Sequence, residues 1–157
     1  MKRRILLILA PLALAVLALL PGAPALAAEP VKITADNFTL DQASNAGTFT
    51  GSVVIDRTGL TIWADKVVVI YGEGGENDID SITATGAVRI KTAAQEATGG
   101  RATFDPLTQI LKLTDNVRVL NAQGQVSGPE LTINLASQTS TFKGGQGGRV
   151  TGVFTPQ

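Results

Sequence analysis

Apolar and polar residues alternate with a period of two along most of the chain after Val31. This alternation is typical of strands that bury one face, whereas an amphipathic helix would repeat every 3.6 residues. The pattern therefore predicts an all-β protein. Ala93 to Ala97 is a weak helix candidate and is too short to be stable alone. Clear examples of the alternation are Val53 with Ile55, Leu60 with Ile62, Val67 with Val69, Val88 with Ile90, and Leu111 with Leu113.

Clusters of turn-forming residues separate the alternating segments. Glycine, proline, asparagine and aspartate mark such turns because they tolerate or stabilise the required backbone angles. We expect Gly51 and Gly86 to allow a bend or bulge at a corner of the structure rather than to contact a ligand. The predicted breaks are Asn45-Ala46-Gly47, Thr58-Gly59, Gly72 to Asp78, Gly99-Gly100, Asp105-Pro106, Ala122 to Gly124 and Gly144 to Gly148.

Three aspartates and the lone tryptophan have predicted structural roles. Asp36, Asp65 and Asp105 recur at predicted strand starts, where an aspartate commonly accepts backbone N–H groups in an Asx turn. Trp63 alternates away from Leu60 and Ile62, so we expect it to point outward or into a corner.

A short pattern of one small residue, two polar positions and an apolar-x-apolar triplet occurs four times. Its copies begin at Ala35, Ala64, Gly99 and Gly128, a period of about 30 residues. Each repeat of about 30 residues contains two strands, which cannot bury their apolar side unless neighbouring repeats stack. We therefore expect one continuous layered β structure. Its first and last strands would leave unpaired N–H and C=O groups for another chain.

The N-terminus has the three parts of a secretory signal peptide. Lys2, Arg3 and Arg4 precede an apolar run over residues 5–20, and Ala25-Leu26-Ala27 forms a cleavage motif. The alternative is an uncleaved membrane anchor, which needs about 20 apolar residues. We expect cleavage after Ala27, which leaves one domain over residues 28–157.

Composition excludes most catalytic and metal chemistry. The 157 residues include no His and no Cys, so the commonest general base, the thiol nucleophile and the usual zinc ligands are missing. Lys plus Arg and Asp plus Glu each number 13, and no basic cluster follows the leader. Nucleic-acid binding needs concentrated positive charge. We therefore predict no catalytic residue, no metal, no cofactor and no nucleic-acid partner.

Three segments carry a family resemblance: residues 35–41, residues 48–55 with the sequence TFTGSVVI, and residues 60–69 with the sequence LTIWADKVVV. Together they closely resemble the OstA-like domain of the LptA family of periplasmic lipopolysaccharide-transport proteins. The resemblance spans nearly the whole chain after the leader. It implies a twisted β-jelly roll of many short antiparallel strands, V-shaped in section, built from four two-strand repeats and open at both ends.

The resemblance also implies a function that involves no enzymatic activity. Members of this family carry lipopolysaccharide in the periplasm and hold the acyl chains of lipid A between the sheets. They join end to end into a bridge from an LptC-like inner-membrane partner to an LptD-like outer-membrane partner. We therefore expect a periplasmic carrier that binds lipopolysaccharide, associates with itself and pairs with both partners through its edge strands.

An apolar trough suits this cargo, because each exposed CH₂ group costs about 0.8 kcal/mol in water. Inward apolar residues either line such a trough or fill a closed core. The predicted lipid-contacting residues are Ile33, Phe38, Leu40, Phe49, Val53, Ile55, Leu60, Ile62, Val67, Val69, Val88, Ile90, Ala102, Phe104, Leu113, Val117, Val119, Leu131 and Ile133.

Two other functions are compatible with parts of the sequence. An LptC-like membrane-anchored subunit of the same pathway would keep the N-terminal segment as an anchor. An exported carbohydrate-active enzyme would need two suitably placed carboxylates. The acidic residues of this chain fall at turns or alternate outward, and they form no ordered catalytic motif.

Overall fold

The computed structural model describes residues 31–75 and 78–156, and all ten regular elements in this part are β-strands. The predicted signal peptide, residues 1–27, lies outside the described residues. Within the described ranges there is no helix long and apolar enough to cross a membrane. The strands are β1 (Lys32–Thr34), β2 (Asn37–Asp41), β3 (Ala46–Arg57), β4 (Leu60–Tyr71), β5 (Ile79–Thr92), β6 (Gln95–Asp105), β7 (Ile110–Asn121), β8 (Gly124–Asn134), β9 (Thr139–Lys143) and β10 (Thr151–Phe154).

The strands form one antiparallel sheet in which β3 to β8 follow each other as a meander. Two short strands complete each end of the sheet. At one end β1 and β2 share the outer edge of β3, and at the other β9 and β10 share the outer edge of β8. The sheet does not close on itself. The predicted all-β, open architecture is therefore confirmed.

Asx hydrogen bonds shape the turns. The Oδ1 atom of Asp105 accepts the backbone N–H groups of Leu107 and Thr108, at 2.9 and 3.1 Å, as the sequence predicts for this aspartate. Asp41 accepts the N–H of Ala43 in the same way, at 2.9 Å. These bonds satisfy backbone donors that the turns would otherwise leave unpaired.

Every long strand bends near its middle. The register shifts across the sheet at one level, for example between Thr50 and Val53 of β3 and between Thr85 and Val88 of β5. The shifts are β-bulges, which add a residue and turn the strand. Because the bends lie inside strands, β3 to β8 run for 11 to 14 residues and are longer than predicted.

Three of the bends contain consecutive residues with positive φ. Gly51 and Gly86 have φ of 85° and 83°, so the prediction that these glycines allow bulges is confirmed. The third pair is Asp115 and Asn116, at 71° and 56°. Aspartate and asparagine tolerate this region better than other residues with a side chain.

A glycine faces an aspartate at each of these bends. A Cβ atom at Gly51 would collide with Asp36, and one at Gly86 would collide with Asp65. At the third bend the two residue types exchange strands, since a Cβ at Gly100 would lie 2.8 Å from the Cβ of Asp115. The prediction of a break at Gly99-Gly100 is therefore wrong. Both glycines lie inside β6, where Gly100 makes room for an aspartate on β7.

The bend divides the sheet into two half-sheets that face each other. Half-sheet I contains β1, β10 and residues 53–57, 60–64, 88–92, 95–99, 117–121 and 124–128, whereas half-sheet II contains β2, β9 and the remaining parts of β3 to β8. The buried core draws on both, for example Val53 and Val117 from half-sheet I and Val67 and Leu113 from half-sheet II. No polar or charged residue in the described ranges is buried.

Candidate functional site: an apolar groove between two half-sheets

Inward side chains form straight rows that cross the strands. The bend row lies on half-sheet II next to the bend and has one residue from each successive strand, β2 to β9. Its four middle members from β4 to β7 are between 0 and 4 % exposed, so this level is filled by protein. The bend row consists of Phe38, Phe49, Val67, Ala84, Ala102, Leu113, Leu131 and Phe142.

Two further rows lie one step farther from the bend, one on each half-sheet. On half-sheet I the isoleucine row begins with four paired isoleucines, Ile33, Ile55, Ile62 and Ile90, and continues through Ala97, Val119 and Val126. On half-sheet II the matching row, here the facing row, consists of Leu40, Gly47, Val69, Ile82, Phe104, Leu111, Ile133 and Ser140.

The isoleucine row and the facing row enclose an apolar cavity of about 170 Å³. Ile62 from half-sheet I and Ile82 and Phe104 from half-sheet II line it and are only partly buried. Some side chains at this level are thus less completely covered than the middle of the bend row, although Val69 stays buried. The result is an open groove whose exposed walls are mostly apolar.

A second cavity, of about 230 Å³, continues the groove towards the last strands. Val119, Val126 and Phe154 line it from half-sheet I, and Phe142 lines it from half-sheet II. Gln95, Asn121 and Ser140 also reach it, so this cavity is more polar than the first. We call it the C-terminal cavity.

The N-terminal end of the groove exposes large apolar side chains. Phe38 and Leu40 of the edge strand β2 are 53 and 42 % exposed. The ring of Phe38 packs on that of Phe49, with centroids 4.5 Å apart, and the Phe38 ring and Tyr71 fill the space that a side chain at Gly47 would take. An exposed apolar edge of this kind is typical of a surface that pairs with another chain.

The outer faces of both half-sheets are mostly polar, although Val68, Ile70 and Leu120 also point outward. Thr39, Thr48, Thr83, Thr103, Thr132 and Thr141 align across half-sheet II in one outward row. On half-sheet I the guanidinium of Arg89 lies 4.0 Å from the centre of the Trp63 ring, so Trp63 points outward as predicted. The outer face therefore offers mainly polar side chains to a ligand, whereas the inner face offers mainly apolar ones.

All nineteen predicted lipid-contacting residues belong to the inward face, but the structure separates them into three groups. Ten are buried in the core: Val53, Ile55, Val67, Val69, Val88, Ile90, Ala102, Leu113, Val117 and Leu131. Seven pack against the core and stay partly accessible: Ile33, Phe49, Leu60, Ile62, Phe104, Val119 and Ile133. Phe38 and Leu40 are exposed at the edge.

Sequence reasoning missed several residues that line the first cavity. Ile82 and Leu111 lie two positions from the buried Ala84 and Leu113, so strict alternation was a sufficient signal for both. Ala97 fell in the stretch considered as a weak helix. Val31 and Leu135 lie one residue beyond β1 and β8 but continue the alternation of Ile33 and Ile133, so the same signal was available for them.

The sequence profile of one protein family, described as LptA/(LptD N-terminal domain) LPS transport protein, matches residues 32–139. The chain belongs to that family. The match covers β1 to β8 and reaches the start of β9, so the two half-sheets and the groove between them lie almost entirely within the family's domain. The resemblance found in the sequence is therefore confirmed.

Individual relatives agree with this LptA/LptD N-terminal family assignment. The lipopolysaccharide export system protein LptA of Haemophilus influenzae is 26 % identical over 136 residues, 82 % of this chain and 78 % of that protein. LptA of Escherichia coli K12 is 28 % identical over 133 residues, which cover 82 % of this chain and 72 % of that protein.

A solved structure shares the fold. It is LptH of Pseudomonas aeruginosa, described as the LptA homologous periplasmic component of the conserved lipopolysaccharide transport device. The two superpose with a TM-score of 0.71 at 16 % identity, over 82 % of this chain and 96 % of LptH. The open, bent antiparallel sheet is thus an architecture already seen in a solved member of this group.

Proposed function

We propose that this protein transports lipopolysaccharide in the periplasm and holds the acyl chains of lipid A in the groove between its half-sheets. The observation that carries the proposal is the cavity between the isoleucine row and the facing row. Its walls offer hydrocarbon contact without directional bonds, so bound chains gain free energy from burial while remaining able to move. The relatives named as lipopolysaccharide export proteins support the choice of cargo.

The lipid-contacting set follows from the burial of each side chain. Ile62, Ile82 and Phe104 are partly accessible and line the cavity, so we assign direct contact to them. Val67 and Leu113 are 0 % exposed and support the walls from behind. The nineteen residues predicted from the sequence thus act partly as contacts and partly as the structural base of the groove.

Open edges support end-to-end assembly. β1 and β2 end the sheet at one side, and β9 and β10 end it at the other. Edge strands have free N–H and C=O groups, which pair with strands of a second copy or of a related domain. We propose that self-association, and pairing with LptC-like and LptD-like domains, extends the groove into a bridge between the two membranes. The chain acts as a carrier in this bridge and not as an enzyme.

Photo-crosslinking from single positions tests the groove. A photoreactive residue replaces Phe104, which lines the cavity, or Thr103, which precedes it on β6 and faces outward. We expect adducts with lipopolysaccharide from position 104 and few from position 103. Equal labelling at the two positions would show that lipid meets the surface nonspecifically, and the proposal would then be abandoned.

The mature N-terminus tests the predicted location. We propose that residues 1–27 direct export and are removed, so that a periplasmic protein begins near Ala28. Mass spectrometry of the protein recovered from cells should give this N-terminus. An intact Met1 together with membrane-bound protein would instead favour the anchored, LptC-like alternative.

A further inference from the structure

At each end of the sheet the chain passes from one half-sheet to the other, and the two connections differ. At the N-terminal end, only Ala35 and Asp36 separate β1 from β2. At the C-terminal end, seven residues, 144–150, separate β9 from β10, and four of them are glycines. β10 is therefore connected to the sheet by a long glycine-rich segment, whereas β1 is held firmly by its short connection.

The edge of β8 is nevertheless shaped to receive β10. The four residues of β10 pair with Gly124 to Ser127, and the N–H of Thr155 donates to the carbonyl of Gln123 at 3.1 Å. Gly124 has φ of 152°, and a Cβ atom there would collide with the carbonyl oxygen of Val153. The absence of a side chain at Gly124 thus creates the space that β10 occupies.

Few apolar contacts secure β10 in this position. All four of its residues are exposed, and Val153 and Phe154 are each 63 % exposed. A short edge strand with little buried surface belongs to the least stable part of a fold. Any ligand that adds contacts to β10 will therefore shift its equilibrium towards the docked position.

Phe154 connects β10 to the groove. Its ring lies over Gly152, where a Cβ atom would be 2.7 Å from ring atom Cε2, and it forms a wall of the C-terminal cavity. Val153 points to the other face, since it pairs with Gln125 and does not line that cavity. An apolar ligand in the C-terminal cavity consequently contacts β10 through the Phe154 ring.

We propose that an acyl chain in the C-terminal cavity holds β10 on β8 and so completes the edge on which a second copy pairs. The inference rests on the proposed function, because the acyl chain belongs to the cargo. The C-terminal cavity continues the groove described above and is lined by Val126, Phe142 and Phe154. Binding at the cavity and docking of β10 are then thermodynamically linked, each favouring the other.

Docking of β10 also determines the shape of the edge. With β10 in place, both half-sheets end in a strand paired to β8, which matches the arrangement of β1 and β2 on β3. Without β10, half-sheet I ends one strand earlier than half-sheet II. The β1 and β2 strands of a second copy could then pair on only one half-sheet, so assembly would weaken.

Hydrogen exchange measured by mass spectrometry tests the first step. On addition of lipopolysaccharide to the exported protein, we expect amide exchange in residues 151–155 to slow at least tenfold. Unchanged exchange in β10 at saturation of the groove would overturn this inference while leaving the proposed function intact. Failure of the protein to bind lipopolysaccharide at all would overturn both, so the two failures are distinguishable.

Two variants of β10 provide a matched comparison. Phe154→Ala removes the cavity wall, whereas Val153→Ala shortens an equally exposed side chain on the opposite face. We expect the Phe154→Ala protein to lose the lipid-dependent slowing of exchange and the Val153→Ala protein to keep it. The same response in both variants would refute a specific role for Phe154.

A disulfide tests the link to assembly. The protein has no cysteine, and Ser127 lies directly opposite Thr151 on the outward face, so Ser127→Cys with Thr151→Cys can fix β10 in place. Sedimentation should show lipid-dependent self-association when the pair is reduced and lipid-independent self-association when it is oxidised. Lipid dependence that is unchanged by oxidation would contradict the proposal.

Discussion

The residues beside the bend and those at the mouth of the groove are chemically alike but have different neighbours. Val67 and Leu113, in the bend row, are 0 % exposed, because side chains of the opposite half-sheet meet them. Ile62 and Ile82 have similar size and polarity, yet they line an open cavity. An inward position alone therefore does not decide whether a side chain stabilises the fold or is left to contact a ligand. Distance from the bend and the neighbours at that level act together, since Val69 lies one step farther out and is still only 2 % exposed.

The largest expected effect is on stability and comes from the bend row. Leu113→Ala should lower the free energy of unfolding by about 2–5 kcal/mol, because the truncation leaves a cavity among well-packed neighbours. Urea denaturation measures this change. Leu120→Ala is the control on the same strand, since Leu120 is 54 % exposed and should cost less than about 0.5 kcal/mol. Equal losses of unfolding free energy in the two variants would mean that the bend row is not the centre of the core.

The bend itself gives the next effect. Gly86→Ala introduces a side chain at positive φ and makes it collide with Asp65, so we expect the free energy of unfolding to fall by about 2–4 kcal/mol. Gly59→Ala is the matched control, because Gly59 has φ of 76° but nothing lies within 4 Å of an added Cβ. The free energy of unfolding of the Gly59→Ala protein should fall by only about 1 kcal/mol. Thermal or urea denaturation would separate collision from backbone strain.

A residue swap sharpens this result. The third bend has its glycine, Gly100, and its aspartate, Asp115, on exchanged strands. We therefore expect Gly86→Asp alone to destabilise the protein and the double variant with Asp65→Gly to recover most of the loss. Additive losses in the double variant would show that the glycine and aspartate positions are not coupled.

Substitution of a residue that lines the first cavity should affect lipopolysaccharide binding more than the stability of the fold. Ile62→Ala removes hydrocarbon from the first cavity, and we expect lipopolysaccharide affinity to fall about tenfold, which equals about 1.4 kcal/mol. Ile70→Ala is the control on the same strand, because Ile70 is also partly buried but faces outward opposite Ser81. A fluorescence binding assay compares the two. Similar affinities for both variants would contradict the assignment of the groove.

The smallest effect lies at a turn beyond the groove. The backbone N–H of Thr108, together with its side chain and the N–H of Leu107, holds the pKa of Asp105 below its ordinary value of 3.8. A lowered pKa in the folded state contributes stability above the ordinary value, and this contribution is lost as pH falls through the lowered pKa. Asp105→Asn keeps an Asx acceptor but cannot ionise. The free energy of unfolding of this variant should therefore fall slightly less than that of the unmodified protein between about pH 5 and 2. An identical pH dependence in both proteins would argue against the lowered pKa.

Much of the fold could be predicted from the sequence because alternation maps directly onto the two faces of a strand. Gly51 and Gly86 were expected to allow bulges, and both do so at positive φ, which glycine adopts without steric cost. The third bend was missed because Asp115 and Asn116 adopt that conformation, and the neighbouring Gly99-Gly100 instead suggested a break. A glycine can provide either backbone freedom or space, and the sequence alone does not distinguish these uses.

The candidate site was predictable as a face but not as a set of contacts. Alternation placed Phe104 and Leu113 on the same inward side, yet Phe104 is partly accessible in the cavity and Leu113 is buried. The exposure of Phe38 likewise depends on β2 being an edge strand. Such differences arise from the tertiary arrangement of the half-sheets, which a period of two does not encode.

The isoleucine row has a kinetic consequence for any hydrocarbon chain lying along it. Ile33, Ile55, Ile62 and Ile90 stand on successive strands, and strands are about 4.8 Å apart. A step of that length exchanges one isoleucine for an identical one, so the free-energy profile along the row is nearly flat while total adhesion remains large. A hydrocarbon chain bound along this row would therefore move equally well in both directions, and its net movement would require supply at one end of the row and removal at the other.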